Sequence, residues 1–115
     1  EIQREEIQSK SIKFSIEVNN SEIARISLYL IYNNLHQEPY GLIEDLFVEP
    51  EFRNQGFATK LITSAIKEAK EQGCYKLIGT SRHGREPIHE MYKRIGFQDY
   101  GKEFRMNLGD EEENL

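Results

Sequence analysis

From Tyr40 to Gln72 an apolar strand, a Pro-marked turn, a loop with one glycine and an amphipathic helix follow one another without interruption. Leu46, Phe47 and Val48 end the strand, which runs from Tyr40 to Val48, and Pro50 marks the turn. Arg53-Asn54-Gln55-Gly56-Phe57-Ala58 makes the loop. Leu61, Ile62, Ala65, Ile66 and Ala69 then recur at helical spacing over about Ala58 to Gln72, with Gly73 where a left-handed C-cap belongs. A strand fed straight into such a helix buries both apolar faces by laying the helix back on its own sheet. The chain then returns through a right-handed crossover to a parallel neighbour, here a buried strand from Tyr75 to Thr80.

The junction of strand, loop and helix also has chemical consequences. Amide N–H groups in the first turn of a helix lack intrahelical partners, converge on one point and lie at the positive end of the helix dipole. Gly56 lets a ligand approach the backbone and can adopt positive φ, and Ala58 keeps the next turn open. A hydrogen bond to a charged acceptor contributes about 1.5–3 kcal/mol net, so a few such amides hold a pyrophosphate without a lysine.

Arg53-Asn54-Gln55-Gly56-Phe57-Ala58 resembles the Q/R-x-x-G-x-G/A signature of the GNAT superfamily of N-acetyltransferases, whose loop binds the pyrophosphate of acetyl-coenzyme A. Ile43-Glu44-Asp45-Leu46-Phe47-Val48-Glu49-Pro50-Glu51-Phe52 is similar to that family's central strand and its approach to the loop. A second segment, His89-Glu90-Met91-Tyr92-Lys93-Arg94-Ile95-Gly96-Phe97, resembles the family's helix that ends in Tyr, a few variable residues and Gly-Phe. The resemblance spans roughly Ile12 to Leu108. It implies an α/β fold: a GNAT-like mixed, mostly antiparallel sheet with a parallel central strand pair and helices packed on it. The family usually opens with one or two helices after its first strand, and none is legible here. That departure leaves the acceptor side of the cleft undefined and points to a compact member completed by a second copy of itself.

The other elements read as follows. Residues 1–11 are polar and fit either an edge strand or a frayed lead-in. Ile12, Phe14, Ile16 and Val18 alternate with polar residues, and Ile23 to Tyr32 makes a more buried strand. Asn19-Asn20-Ser21-Glu22 supplies turn chemistry between them, so a hairpin is expected. Pro87 suits the start of a second helix whose stripe is Ile88, Met91, Tyr92 and Ile95. Phe97 to Tyr100 and Phe104 to Leu108 read as a final hairpin or strand pair. One domain over 1–108 is expected, with residues 109–115 an acidic, disordered tail.

At 115 residues the chain can bury a core without disulfides or metal. The single Cys74 and the absence of a signal-like N-terminus favour a reducing, cytoplasmic setting. A net charge of −5 argues against nucleic-acid binding, and no apolar run is long enough to cross a membrane. His36, His83, His89 and Cys74 lack metal-ligand spacing, so no metal is assigned.

What the resemblance implies for the site can be set beside plainer readings. The cofactor-binding set is Leu46, Phe47, Val48, Arg53, Asn54, Gln55, Gly56, Phe57, Ala58 and Thr59. In it the edge of Leu46 to Val48 pairs with the pantetheine arm, and an N–H near Val48 polarises the thioester oxygen. Leu46 and Val48 are equally core residues, Phe57 packing, and Thr59 a phosphate donor or a helix cap. The amine acceptor is only about a thousandth neutral at pH 7, so a base is required. Glu44 is the candidate, against a solvated or salt-bridged strand carboxylate. Asp45 points to the opposite face unless a bulge intervenes, in which case the two can exchange roles. Tyr92 is the candidate acid that returns a proton to the coenzyme sulfur; the plainer reading is a core aromatic.

The function so implied is direct transfer of acetyl from acetyl-coenzyme A to a primary amine on a small molecule, a protein lysine or an N-terminus. The alternative is a catalytically silent acyl-coenzyme A binding or sensing module. Gly56-Phe57-Ala58-Thr59-Lys60 is not a P-loop, because G-x-x-x-x-G-K-[ST] is absent.

Overall fold

The computed structural model describes residues 1–109, which divide into two compact units, Glu1–Thr80 and the stretch from Ser81. In the first unit four strands lie in the order β1-β2-β3-β4, with β1 Lys10–Val18, β2 Ser21–Ile31, β3 Tyr40–Val48 and β4 Leu77–Gly79. β1, β2 and β3 pair antiparallel, and β3 pairs with β4 in parallel. Residues 1–9 are exposed and outside regular structure.

The hairpin turn closes between Val18 and Ser21, with Asn19 and Asn20 both at positive φ (53° and 66°). That geometry matches the right-handed twist of the flanking strands, and asparagine tolerates it better than most residues. A Pro50–Phe52 turn of 3-10 helix leads from β3 to α1, Phe57–Glu71. The helix ends as its spacing indicates. Gly73 adopts φ +79° and donates to the Lys70 carbonyl, while the Cys74 N–H reaches back to Ala69 O at 3.0 Å.

Ala24, Ile26, Leu28 and Leu30 of β2 and Ile43 of β3 are buried under Leu61, Ile62, Ala65 and Ala69 of α1. Removing the buried Ile62 side chain leaves a cavity on both helix and sheet. Ile62→Ala is expected to lower the unfolding free energy by about 2–5 kcal/mol, read as a shift in the urea midpoint at unchanged slope.

β4 is shorter and more exposed than expected: the ladder takes in only Leu77 to Gly79, and all of it is half-buried. A strand at the edge of a sheet has a β neighbour on one side only, so burial on both flanks does not follow from its apolar sequence.

In the second unit, α2 spans Glu86–Ile95 with Pro87 in its first turn and Gly96 at its C-cap. The expected strand pair after it is absent. Phe97 to Tyr100 and Phe104 to Leu108 form no strand among the described residues, and Tyr100, Phe104, Met106 and Leu108 are 80–95% exposed. Alternation gives such a segment an apolar face but not a hydrogen-bonding partner, and a strand exists only with one. The acidic-tail expectation for 109–115 falls, beyond Gly109, outside the described residues. No helix among the described residues is long and apolar enough to cross a membrane.

Candidate active site

The parallel ladder between β3 and β4 ends at Ile43 and Gly79, whereas β3 continues to Val48. From Glu44 to Val48 that edge of β3 has no β partner among the described residues. Glu49 N donates to Ile23 O at 2.8 Å, so the alternation of a strand turns the Val48 N–H away from β2 and into this opening. Leu46, Phe47 and Val48 are half-buried along it.

Beyond β3 the chain reaches the start of α1, where Asn54 takes φ +64° and Gly56, the N-cap, φ +86°. No side chain caps this helix. Lys60 N is the first amide to find an acceptor, Gly56 O at 3.1 Å; among the described residues none serves the amides of Asn54 to Thr59. The turn is therefore a set of unpaired donors at the positive end of a helix, with the chemistry to hold a diphosphate. Thr59 makes no cap bond among the described residues.

Arg53 is exposed but folds back along its own loop. Its Nε donates to Val48 O at 2.8 Å and its guanidinium lies 5.6 Å from the Phe47 ring, which ties the loop back to the end of β3. Phe57 packs edge-on against Phe52, and the Gln55 amide lies 3.5 Å from Glu51 O, at the limit of a hydrogen bond. Lys60 is exposed, its ammonium 6.0 Å from the Phe57 ring.

The bulge on which the roles of Glu44 and Asp45 depended is present. Arg25 pairs with Phe47 and Ser27 with Glu44, so Asp45 and Leu46 together face Ile26 alone. Asp45 adopts φ +61° and joins Glu44 on the face of the sheet away from α1, rather than the opposite one. There it accepts from Arg25 Nε at 2.9 Å and Nη2 at 3.3 Å. Arg25 also lies 3.7 Å from Glu22 and 5.0 Å from the Phe47 ring. Glu44 has no hydrogen-bond or ion-pair partner among the described residues. It borders an open hollow of about 440 Å³ floored by Tyr29, Ile31 and Leu42. This hollow contains none of the Gly56 turn, so it is a separate feature from the phosphate-binding geometry.

Arg25 was not legible in the sequence as a site residue. It stands 20 positions from Asp45, and only hairpin register brings the two together.

In the second unit Tyr92 is half-buried and packs edge-on against Phe97, ring centres 5.1 Å apart. Burial pushes its phenol above the ordinary tyrosine range, so it keeps its proton to higher pH than a free tyrosine does. The folded state then holds that proton at pH values where the unfolded chain has released it, and the stability gained is lost as pH rises through the folded value. Urea midpoints at about pH 8 and pH 11 should accordingly fall more for the native chain than for Tyr92→Phe. Cys74, also raised by burial, is present in both and cancels.

Residues 2–97 match the acetyltransferase (GNAT) family. The chain belongs to this family. This GNAT chain is 31% identical over 90 residues to an uncharacterized N-acetyltransferase of Methanocaldococcus jannaschii, covering 75% of the chain and 38% of that protein. It is 32% identical over 68 residues to glucosamine 6-phosphate N-acetyltransferase of Trypanosoma brucei brucei, covering 59% and 44%. It thus spans less than half the length of either relative. Among solved structures with the same fold, an aminoglycoside N-acetyltransferase in complex with CoA matches with TM-score 0.70 at 19% identity, over 84% of this GNAT chain and 75% of that one.

Proposed function

We propose that the chain moves the acetyl group of acetyl-coenzyme A directly to a primary amine. The observation that carries this reading is the run of unpaired amides around Gly56, continuous in sequence with a β3 edge that has left its ladder. The first suits the diphosphate; the second suits the pantetheine amides as an added strand, with the Val48 N–H placed to polarise a carbonyl oxygen. The amine nitrogen attacks the thioester carbon, the carbon–sulfur bond breaks, and the thiolate leaves without a covalent enzyme intermediate. Glu44 is the base that takes the amine proton. Asp45 is committed to Arg25, which leaves Glu44 as the carboxylate with free lone pairs. Tyr92, held protonated, is the donor to the departing sulfur on the strength of the family pattern around it. Relatives named for an aminosugar phosphate, thialysine, an aminoglycoside and N-alpha-acetylation support an amine-bearing acceptor, on a small molecule or on a protein.

The test is thiol release from acetyl-coenzyme A across aminosugar phosphates, aminoglycosides, polyamines and Lys-bearing peptides, with mass spectrometry of the acetylated product. A product gaining one acetyl group supports the proposal. Binding of coenzyme A by calorimetry with no product from any amine would leave the silent acyl-coenzyme A module; no binding would end both readings.

A further inference from the structure

The bulge in β3 is held by a contact that the reaction itself does not call for. Asp45 sits at φ +61°, a left-handed conformation that strains a residue with a side chain, though Asp less than most. A lone exposed ion pair contributes little and would not be expected to hold such a conformation. This pair is not of that kind. The Arg25 guanidinium meets both oxygens of Asp45, at 2.9 and 3.3 Å, in the two-pronged geometry that restricts both partners. Glu22 holds the other side of the guanidinium at 3.7 Å and is itself tied to Lys13 at 2.7 Å. Phe47, the ladder partner of Arg25, supplies an aromatic surface 5.0 Å from it. Lys13 of β1, Glu22 and Arg25 of β2 and Phe47 of β3 therefore bracket the one position at which β3 gains an extra residue.

That position lies between Glu44 and the Leu46–Val48 edge. Without the extra residue, every side chain on one side of it would change face relative to the other, because strand alternation has a period of two. We infer that Arg25 is a positioning residue: its two-pronged grip on Asp45 fixes the bulge and thereby sets Glu44 relative to the Val48 amide. The inference rests on the acetyl-transfer reading for its kinetic consequence. The backbone consequence stands apart from it. A displacement of about 1 Å between reacting groups costs on the order of 100-fold in rate. Arg25, Glu22 and Lys13 are not among the residues assigned to coenzyme binding.

The experiment compares the native chain with Arg25→Met, Arg25→Lys and Asp45→Gly. In Arg25→Met the amine-dependent kcat is expected to fall roughly 10- to 100-fold. KM for acetyl-coenzyme A and the melting temperature should stay nearly unchanged. Arg25→Lys keeps the charge without the fork and should recover only part of the loss. NMR couplings reporting the φ of residue 45, with amide shifts from 44 to 48, should move in Arg25→Met. In Asp45→Gly, where positive φ carries no penalty, φ should persist without the grip and kcat should stay near that of the native chain, because the bulge that sets Glu44 is kept. An unchanged φ and kcat in Arg25→Met would overturn the inference. So would a loss of kcat that tracks equal losses in coenzyme affinity and melting temperature, which is what a merely structural role gives. If the native chain acetylates no amine, the functional reading fails instead, and the NMR comparison alone then decides whether Arg25 holds the bulge.

Discussion

Glu44→Gln should lower amine acetylation about 10²- to 10⁴-fold near pH 7, with coenzyme A affinity unchanged. The amide keeps the shape of the carboxylate and cannot accept a proton. A lysine-like amine is protonated in all but about a thousandth of molecules at pH 7, so without a base the reaction draws on that fraction alone. The deficit has a pH signature. As the solution approaches the amine's own pKa, near about 10, the neutral amine becomes plentiful and the two enzymes should converge. A pH–rate profile of kcat/KM for both proteins checks this. Parallel profiles, equally separated at every pH, would show that Glu44 acts by charge or packing rather than by taking a proton. The structure makes Glu44 the informative target because Arg25 occupies Asp45 with two hydrogen bonds.

Gly56→Val should weaken coenzyme A binding about 100-fold while the domain stays folded. A Cβ at position 56 would meet nothing within 4 Å, so crowding is not the cause. The cause is φ +86°, which a β-branched residue scarcely adopts. The turn would rotate toward negative φ and redirect the neighbouring amides. Losing two charge-assisted hydrogen bonds at about 1.5 kcal/mol each is about 3 kcal/mol, or roughly two decades in Kd. The strain itself costs on the order of 1–3 kcal/mol of stability, which a urea titration will register as a modest midpoint shift. Gly56→Asn is the control: asparagine tolerates positive φ, so it should retain most of the affinity. Equal binding by all three proteins would mean that the amides of this turn do not hold the ligand.

Much of this site was readable from local pattern. The β3 limits, Tyr40 and Val48, and the stripe of α1 follow from periodicity, and Gly56 and Gly73 both take the positive φ their places imply. The C-terminal alternation of Phe104, Met106 and Leu108 misled for the complementary reason: its period is that of a strand, but no partner strand exists among the described residues. The same limit explains Arg25. Nothing near it in sequence marks it, and it matters only through a register that joins β2 to β3.

By itself the sequence determined the strand–loop–helix junction, the hairpin and the family, because side-chain spacing and backbone preference act over a few neighbouring residues. Tertiary structure alone decided that a bulge brings Glu44 and Asp45 to one face, that Arg25 engages only the second, and where β3 parts from β4. Those outcomes depend on which residues face one another across strands, and pairing between distant segments is settled by the packing of the whole sheet, not by any stretch of it.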